Sequence, residues 1–285
     1  MSENVVRAVD EQIRSALQLA ATPPQQRQAN AIIPRWTLKR LICWIKQNFH
    51  IDCCRSTLLK VMKKLGFSWK KSRKLLNKAN TKKRAAFLEK LKTLLHQALH
   101  DQCLLVYVDE AHIHLDTDEG YGWSIKGERF WVSSSSPGRQ KVSFYGVYLY
   151  NLAQVRLFAY DCANQENTVD MMKQIRAEFP DVTIKLIWDR APYHQANMVH
   201  SEAETLGIGL EPLSAYSPDF MPVEHLWQWL REDVTYHTCY EKKSHLIAQI
   251  KSFQTQINQK PLEIADRLWV TTTLKPEEEK LRFST

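Results

Sequence analysis

Two segments restrict the fold of this chain more than any others. Leu104-Leu105-Val106-Tyr107-Val108 runs without a polar residue and stops at Asp109, and the mostly apolar stretch from Val182 to Trp188 stops at Asp189. A short apolar run bounded by polar residues is the pattern of a strand covered on both faces, which requires helices above and below a sheet. Trp123 to Val132, Lys141 to Tyr150 and Gln154 to Tyr160 read as further strands, with breaks at 133–138 and at Asn151. Thr168 to Phe179 and His194 to Leu206 have helical spacing, Ile208 to Leu213 reads as a strand, and a last helix is expected from about Asp219 to Val234. The order β-β-β followed by αβαβα predicts an α/β domain, a mixed sheet flanked by helices, over residues 102–240.

The chain upstream has a different character. Residues 1–100 carry 21 Lys and Arg against 5 Asp and Glu, whereas the remainder carries 18 against 26, so a block of net charge +16 precedes one of −8. Such a division suits a basic part that grips a polyanion joined to a part that keeps its carboxylates for another purpose. Leu38, Leu41, Ile42, Ile45 and Phe49 fall on one helical face, and Leu58, Val61, Met62 and Leu65 on another. Thr37 stands where the first helix needs a cap, Ser56 and Thr57 open the second after a turn at Ile51-Asp52, and Gly66 stands where a left-handed C-cap is expected. With the basic segment Ser68 to Lys74, expected to be strand-like or a hairpin, this resembles a winged helix-turn-helix over residues 35–78. Arg55, Lys60, Lys63, Lys64, Lys70, Lys71, Arg73 and Lys74 are its expected DNA-contacting residues. A helix and linker are expected over 1–34, a connecting helix over 79–101, and a helical extension over 241–285.

The chemistry is expected at the carboxylates. Asp109 and Asp189 end buried strands and Glu224 lies on the last helix, so the three can meet at one sheet edge and offer hard oxygen ligands. Two Mg2+ ions held there, with Mn2+ able to substitute, suit in-line phosphoryl displacement. Glu110 adjoins Asp109, but strand alternation turns it to the opposite face. His112 and His114 share a face and lack a third ligand of matching spacing, which makes them polar packing residues; Asp116, Asp118 and Glu119 read as a solvated turn. His194 and His225 follow the two later carboxylates closely and are expected either to order a ligand or to make structural hydrogen bonds. Trp227, Trp229, Leu226 and Leu230 read as core. The six cysteines have no zinc-cage spacing and are expected to be reduced core thiols. No serine or cysteine occupies a nucleophile elbow, and no apolar run is long enough to span a membrane. Met1 to Ala20 lacks a leader pattern, and the expected setting is the cytoplasm, with nucleoid association when bound to DNA.

The words around the carboxylates carry a family likeness. Val108-Asp109-Glu110-Ala111 followed by Gly120-Tyr121-Gly122-Trp123 and Lys126-Gly127, then Trp188-Asp189-Arg190-Ala191-Pro192-Tyr193-His194, then Tyr216-Ser217-Pro218-Asp219-Phe220-Met221-Pro222-Val223-Glu224-His225-Leu226-Trp227, resemble the three catalytic blocks of DDE transposases. The branch is the bacterial insertion-sequence one of the mariner-type superfamily, in which the last two carboxylates are typically separated as Asp189 and Glu224 are here. The likeness spans about residues 35–235. It implies an RNase H-like catalytic domain, Asp109, Asp189 and Glu224 as metal ligands, and cut-and-paste movement of an element whose inverted ends the N-terminal domain binds. It also implies DNA as partner and at least a homodimer on that DNA. A nuclease that only hydrolyses, or an inactive DNA-binding remnant, are the alternatives. Met221 departs from the family's usual asparagine, and one helix-turn-helix fits here where relatives commonly have two.

Overall fold

A computed structural model describes residues 1–22, 26, 35–70, 81–134, 140–214 and 217–273. The chain divides into two compact units, Met1–Lys78 with Lys275–Thr285 and Ala79–Leu274.

The first unit is built from α1 (Glu3–Ala21), α2 (Leu38–Phe49) and α3 (Arg55–Lys64). Val5, Val9 and Ile13 of α1 pack with Leu41 and Ile45 of α2 and Leu58 of α3, so the N-terminal helix belongs to the same core as the helix-turn-helix. The Thr37 hydroxyl accepts from the Arg40 amide at 3.2 Å and caps α2. After α3, Gly66 has φ +82°, the left-handed value that ends a helix. Ser68 to Lys70 carry no strand, and the rest of the segment expected to be strand-like or a hairpin, with Lys71, Arg73 and Lys74, lies outside the described residues.

The second unit starts with α4 (Thr81–Leu99), which leads into β1 (Leu104–His114), β2 (Lys141–Leu149) and β3 (Gln154–Tyr160). Then follow α5 (Gln165–Glu178), β4 (Ile184–Trp188), α6 (Asn197–Thr205), β5 (Ile208–Pro212), α7 (Val223–Leu230), α8 (Lys243–Asn258) and α9 (Pro261–Arg267). The sheet order is β3-β2-β1-β4-β5, with β1 antiparallel to β2 and parallel to β4. Alternation along β1 divides the core in two. Leu104, Val106 and Val108 join Met171, Met172 and Ile175 of α5 and Val199 of α6; Leu105 and Tyr107 join Leu91 and Leu95 of α4, Leu226 of α7 and Ile250 of α8. The result is a sheet between two helical layers, as the apolar runs required.

Three expectations need correction. The segment from Trp123 to Val132 is not a strand: Tyr121, Trp123, Ile125 and Trp131 are exposed. Both edges of β1 are already taken by β2 and β4, which leaves this segment no backbone partner there. It forms an excursion whose ends are pinned, with the Ser134 hydroxyl donating to Asp116 at 2.8 Å and the Thr117 hydroxyl to the Ser133 carbonyl at 2.7 Å. The single helix expected from Asp219 to Val234 is a 3-10 turn at Pro218–Phe220, then α7, then a π-helical turn at Arg231–Thr235. Pro218 and Pro222 supply no backbone N–H, so helix continues only beyond the second. Of the six cysteines only Cys103 is buried, and none of the six is in a disulfide. Among the described residues no helix is long and apolar enough to cross a membrane.

Candidate active site

The parallel pairing of β1 and β4 aligns Leu104 with Ile184 and Tyr107 with Ile187. Two residues beyond the last pair come Asp109 and Asp189, so the same register brings both carboxylates to one height at the carboxyl end of neighbouring strands. A cavity of about 390 Å³ opens there. Its wall includes Asp109, Asp189 and Glu224 together with Arg190, Ser214, Ser217, Pro218 and Met221. Glu224 arrives from the first turn of α7.

Asp109 shares the face of Leu105 and Tyr107, which α7 covers. The Trp227 indole N–H donates to its Oδ2 at 2.9 Å. Opposite Asp109 on β2 is Gly146, where an added Cβ would lie 2.6 Å from the six-membered ring of Trp227 and 3.0 Å from Val223. Glycine is therefore what lets the indole lie against the sheet and reach the carboxylate. Burial raises the Asp109 carboxyl to about 7, and the neighbouring charges of Glu110, Glu224 and Asp189 push the same way against the Trp227 hydrogen bond. Burial also raises Glu224, with Asp219 adding to the effect.

Glu110 points to the other face, as alternation required, but it is not isolated from the cavity. His194, fully buried, places Nε2 2.9 Å from Glu110 Oε1 and Nδ1 3.0 Å from Asp189 Oδ1. Its ring stacks on Trp188 at 4.2 Å, and the Tyr193 hydroxyl donates to Glu110 Oε2 at 3.2 Å. Burial disfavours the imidazolium, yet the hydrogen bonds to Asp189 and Glu110 outweigh it and raise His194 to about 9. The same bond to His194, helped by the Ala191 amide at 2.9 Å, lowers Asp189 below the usual carboxylate range. Asp109 and Asp189 thus differ sharply in environment: one is buried among negative charges, the other is half exposed and paired.

Among the described residues, the closest set of possible ligand atoms is Glu110, Asp189 and His194, within 4.8 Å of one another; the three cavity carboxylates do not form so tight a group. Reasoning from sequence found the carboxylates because each ends an apolar run or opens a helix. It read Trp227 only as core and left the role of His194 open. The one available signal for the Glu110–His194–Asp189 chain was strand parity, which sets Glu110 apart from Asp109. His225 instead stacks on Trp269 at 5.4 Å, and His112 bonds the Ser143 hydroxyl at 2.9 Å, a packing role. Asp118 accepts from the Thr235 hydroxyl at 2.5 Å, so the acidic turn after β1 is anchored as well as solvated.

The acidic cavity at the strand ends fits a divalent cation by its donor chemistry, since the charges that raise Asp109 are all carboxylates and a cation would offset them. A mixed sheet of this order, layered between helices with carboxylates at the ends of its central strands, defines an RNase H-like fold. Residues 104–247 match the family model of the DDE superfamily endonucleases, and residues 34–91 match that of a winged helix-turn-helix. The chain belongs to the DDE superfamily endonuclease family. It is similar to an uncharacterized 39 kDa protein of insertion element IS630 from Shigella sonnei, 22% identical over 236 residues. That match covers 80% of this chain and 66% of the relative's length. Two solved structures with the same fold are a pre-cleavage Mos1 transpososome (15% identity, TM-score 0.59, 91% of this chain and 82% of that one) and the mariner Mos1 paired-end complex with Mg (15%, 0.57, 95% and 86%). The likeness to the insertion-sequence branch of mariner-type transposases read from the sequence is borne out.

Proposed function

We propose that this chain is a transposase that binds the inverted ends of a mobile DNA element with its N-terminal unit and cleaves and joins DNA at the cavity lined by Asp109, Asp189 and Glu224. The observation that carries the reading is the shared register of β1 and β4, which sets two aspartates side by side in a cavity that Glu224 completes. Bound there, a pair of Mg2+ or Mn2+ ions would steady the charge on the attacking and leaving oxygens of a phosphodiester. The Mg and Mn complexes of Mos1, similar in fold, support that choice of ions. The chain's own residues prepare the carboxylates. Trp227 fixes one oxygen of Asp109, and His194, held by Glu110 and Trp188, fixes one oxygen of Asp189. Orientation settled before the ligand arrives is not lost as entropy on binding.

DNA contact is assigned to Arg55, Lys60, Lys63 and Lys64 of α3 and to Lys70, all exposed, with Lys71, Arg73 and Lys74 continuing the basic run. The proposed division of labour follows the boundaries read from sequence: 35–78 for end binding, 79–101 as connector, 102–240 for catalysis, with 1–34 and 241–285 flanking. Because two ends are cut and joined near each other, the active form is a homodimer on DNA with two-fold symmetry. Labelled element ends, full-length protein and Mn2+ test the reading in one reaction resolved under denaturing conditions. Expected are 3′-ends joined to target DNA and no label migrating with protein, since no serine or tyrosine nucleophile takes part. Ends that are hydrolysed and never joined would favour the nuclease alternative, and label retained on protein would remove the reading.

A further inference from the structure

The buried face of α4 is an apolar stripe with one exception. Phe87, Leu88, Leu91, Leu94, Leu95 and Ala98 follow helical spacing, and the next position toward the N-terminus is occupied by Arg84, which is fully buried. Its guanidinium grips Asp219 with both prongs, Nη1 to Oδ1 at 3.0 Å and Nη2 to Oδ2 at 2.7 Å, and Nη1 also donates to the Ser217 hydroxyl at 2.9 Å. The cation lies over the Phe220 ring, 5.1 Å from its centre. All three partners belong to the short turn that precedes α7. Ser217 and Pro218 of that turn, and Met221 just after it, line the cavity with Glu224, and the Glu224 amide bonds back to the Met221 carbonyl at 3.3 Å. The Ser217 hydroxyl is further tied to that of Ser214, also in the wall, at 2.8 Å.

We propose that Arg84 is a positioning residue that sets Glu224 for metal binding by fixing the 217–220 turn through Asp219, Ser217 and Phe220. An anchor required for stability alone does not call for a charge here, since well-packed apolar residues replace a buried ion pair without loss. A planar fork with two oxygen partners does what an apolar contact cannot: it fixes the direction of the turn as well as its distance from α4. Arg84 touches neither cation nor DNA in this role. The proposal rests on the reading of Glu224 as a metal-binding carboxylate.

The test uses the full chain with Mn2+ alone as probe, titrated by electron paramagnetic resonance, after circular dichroism has shown each variant to be folded. Arg84→Lys keeps the charge and loses the fork. It should weaken Mn2+ binding about 10- to 100-fold, the range for residues that orient a ligand without touching the metal. Asp219→Asn should do the same. In a Glu224→Ala background Arg84→Lys should have no further effect, because the residue it acts through is gone. Arg84→Met/Asp219→Leu, which keeps the packing, should fold and still bind Mn2+ weakly. Wild-type affinity in folded Arg84→Lys or in the apolar double variant would overturn the proposal. So would an equal loss in both backgrounds, which leaves the metal reading intact. If wild type takes up no Mn2+, the metal reading fails and the proposal fails with it.

Discussion

Asp109 illustrates a conflict between stability and chemistry at a single residue. Its carboxyl rises from the ordinary 3.8 to about 7, chiefly through burial. A raised folded-state value favours folding fully below pH 4 and loses that contribution as pH climbs toward 7. Asp109→Asn keeps the shape and removes the charge. It should raise the melting temperature of the metal-free protein by roughly 5 °C at pH 8 and by less at pH 5, while abolishing Mn2+-dependent cleavage. A lower melting temperature at pH 8 would show that the ionised carboxylate is stabilised in a way the geometry does not reveal. Gly146 carries the complementary argument. A methyl group there meets the Trp227 ring at 2.6 Å, so Gly146→Ala should destabilise by about 1–3 kcal/mol in thermal or urea unfolding. An unchanged unfolding curve would mean that the indole does not rest on the sheet. Asp109 was legible in the sequence because an apolar run ends at it. Gly146 was not, because its requirement comes from α7, 77 positions further along the chain, and a strand glycine carries no mark of what presses on it.

At the scale of elements, legibility followed burial. β1, β4 and β5 lie inside the sheet or are covered by helices; their apolar runs placed β4 and β5 within two residues of the observed bounds and the start of β1 at Leu104, while β1 continues past Asp109 to His114, where polar residues alternate with apolar ones. The segment from Trp123 to Val132 also carries aromatic and branched residues but joins no strand ladder among the described residues, and residue type alone does not report whether a ladder is free. The last helix, expected from about Asp219, was misread as one piece because amphipathic spacing continues across Pro222, which has no N–H to donate within a helix. The Arg84–Asp219 pair was invisible in sequence for a similar reason: 135 positions separate the partners. Removing one of them leaves the other charge buried. Asp219→Ala should therefore cost about 3 kcal/mol, and Arg84→Met/Asp219→Leu should recover most of that loss in urea unfolding. A double variant no more stable than Asp219→Ala would show that the pair contributes net stability.

At the scale of the molecule, most of the basic excess read over residues 1–100 falls in the smaller, helical unit, while the larger α/β unit takes the basic helix α4 and holds the carboxylate cavity. In the proposed function the exposed cations of α3 and Lys70 supply affinity through phosphate neutralisation, which releases counterions and would make binding fall steeply with salt. Each contact contributes roughly −0.9 to the slope of log K against log salt concentration. Replacing Lys63, Lys64, Lys70 and Lys71 together by alanine should flatten that slope by up to about 3.6 while the helical content stays unchanged, since the described three of the four are exposed. Asp109→Asn, which alters only the cavity, should leave the slope as it is. Binding isotherms of the full chain on its element ends, collected between 50 and 200 mM salt, separate the two units' contributions. A slope unchanged in the quadruple lysine variant would move the DNA-binding surface away from α3. A slope altered by Asp109→Asn would mean that the acidic unit also sets the affinity for DNA.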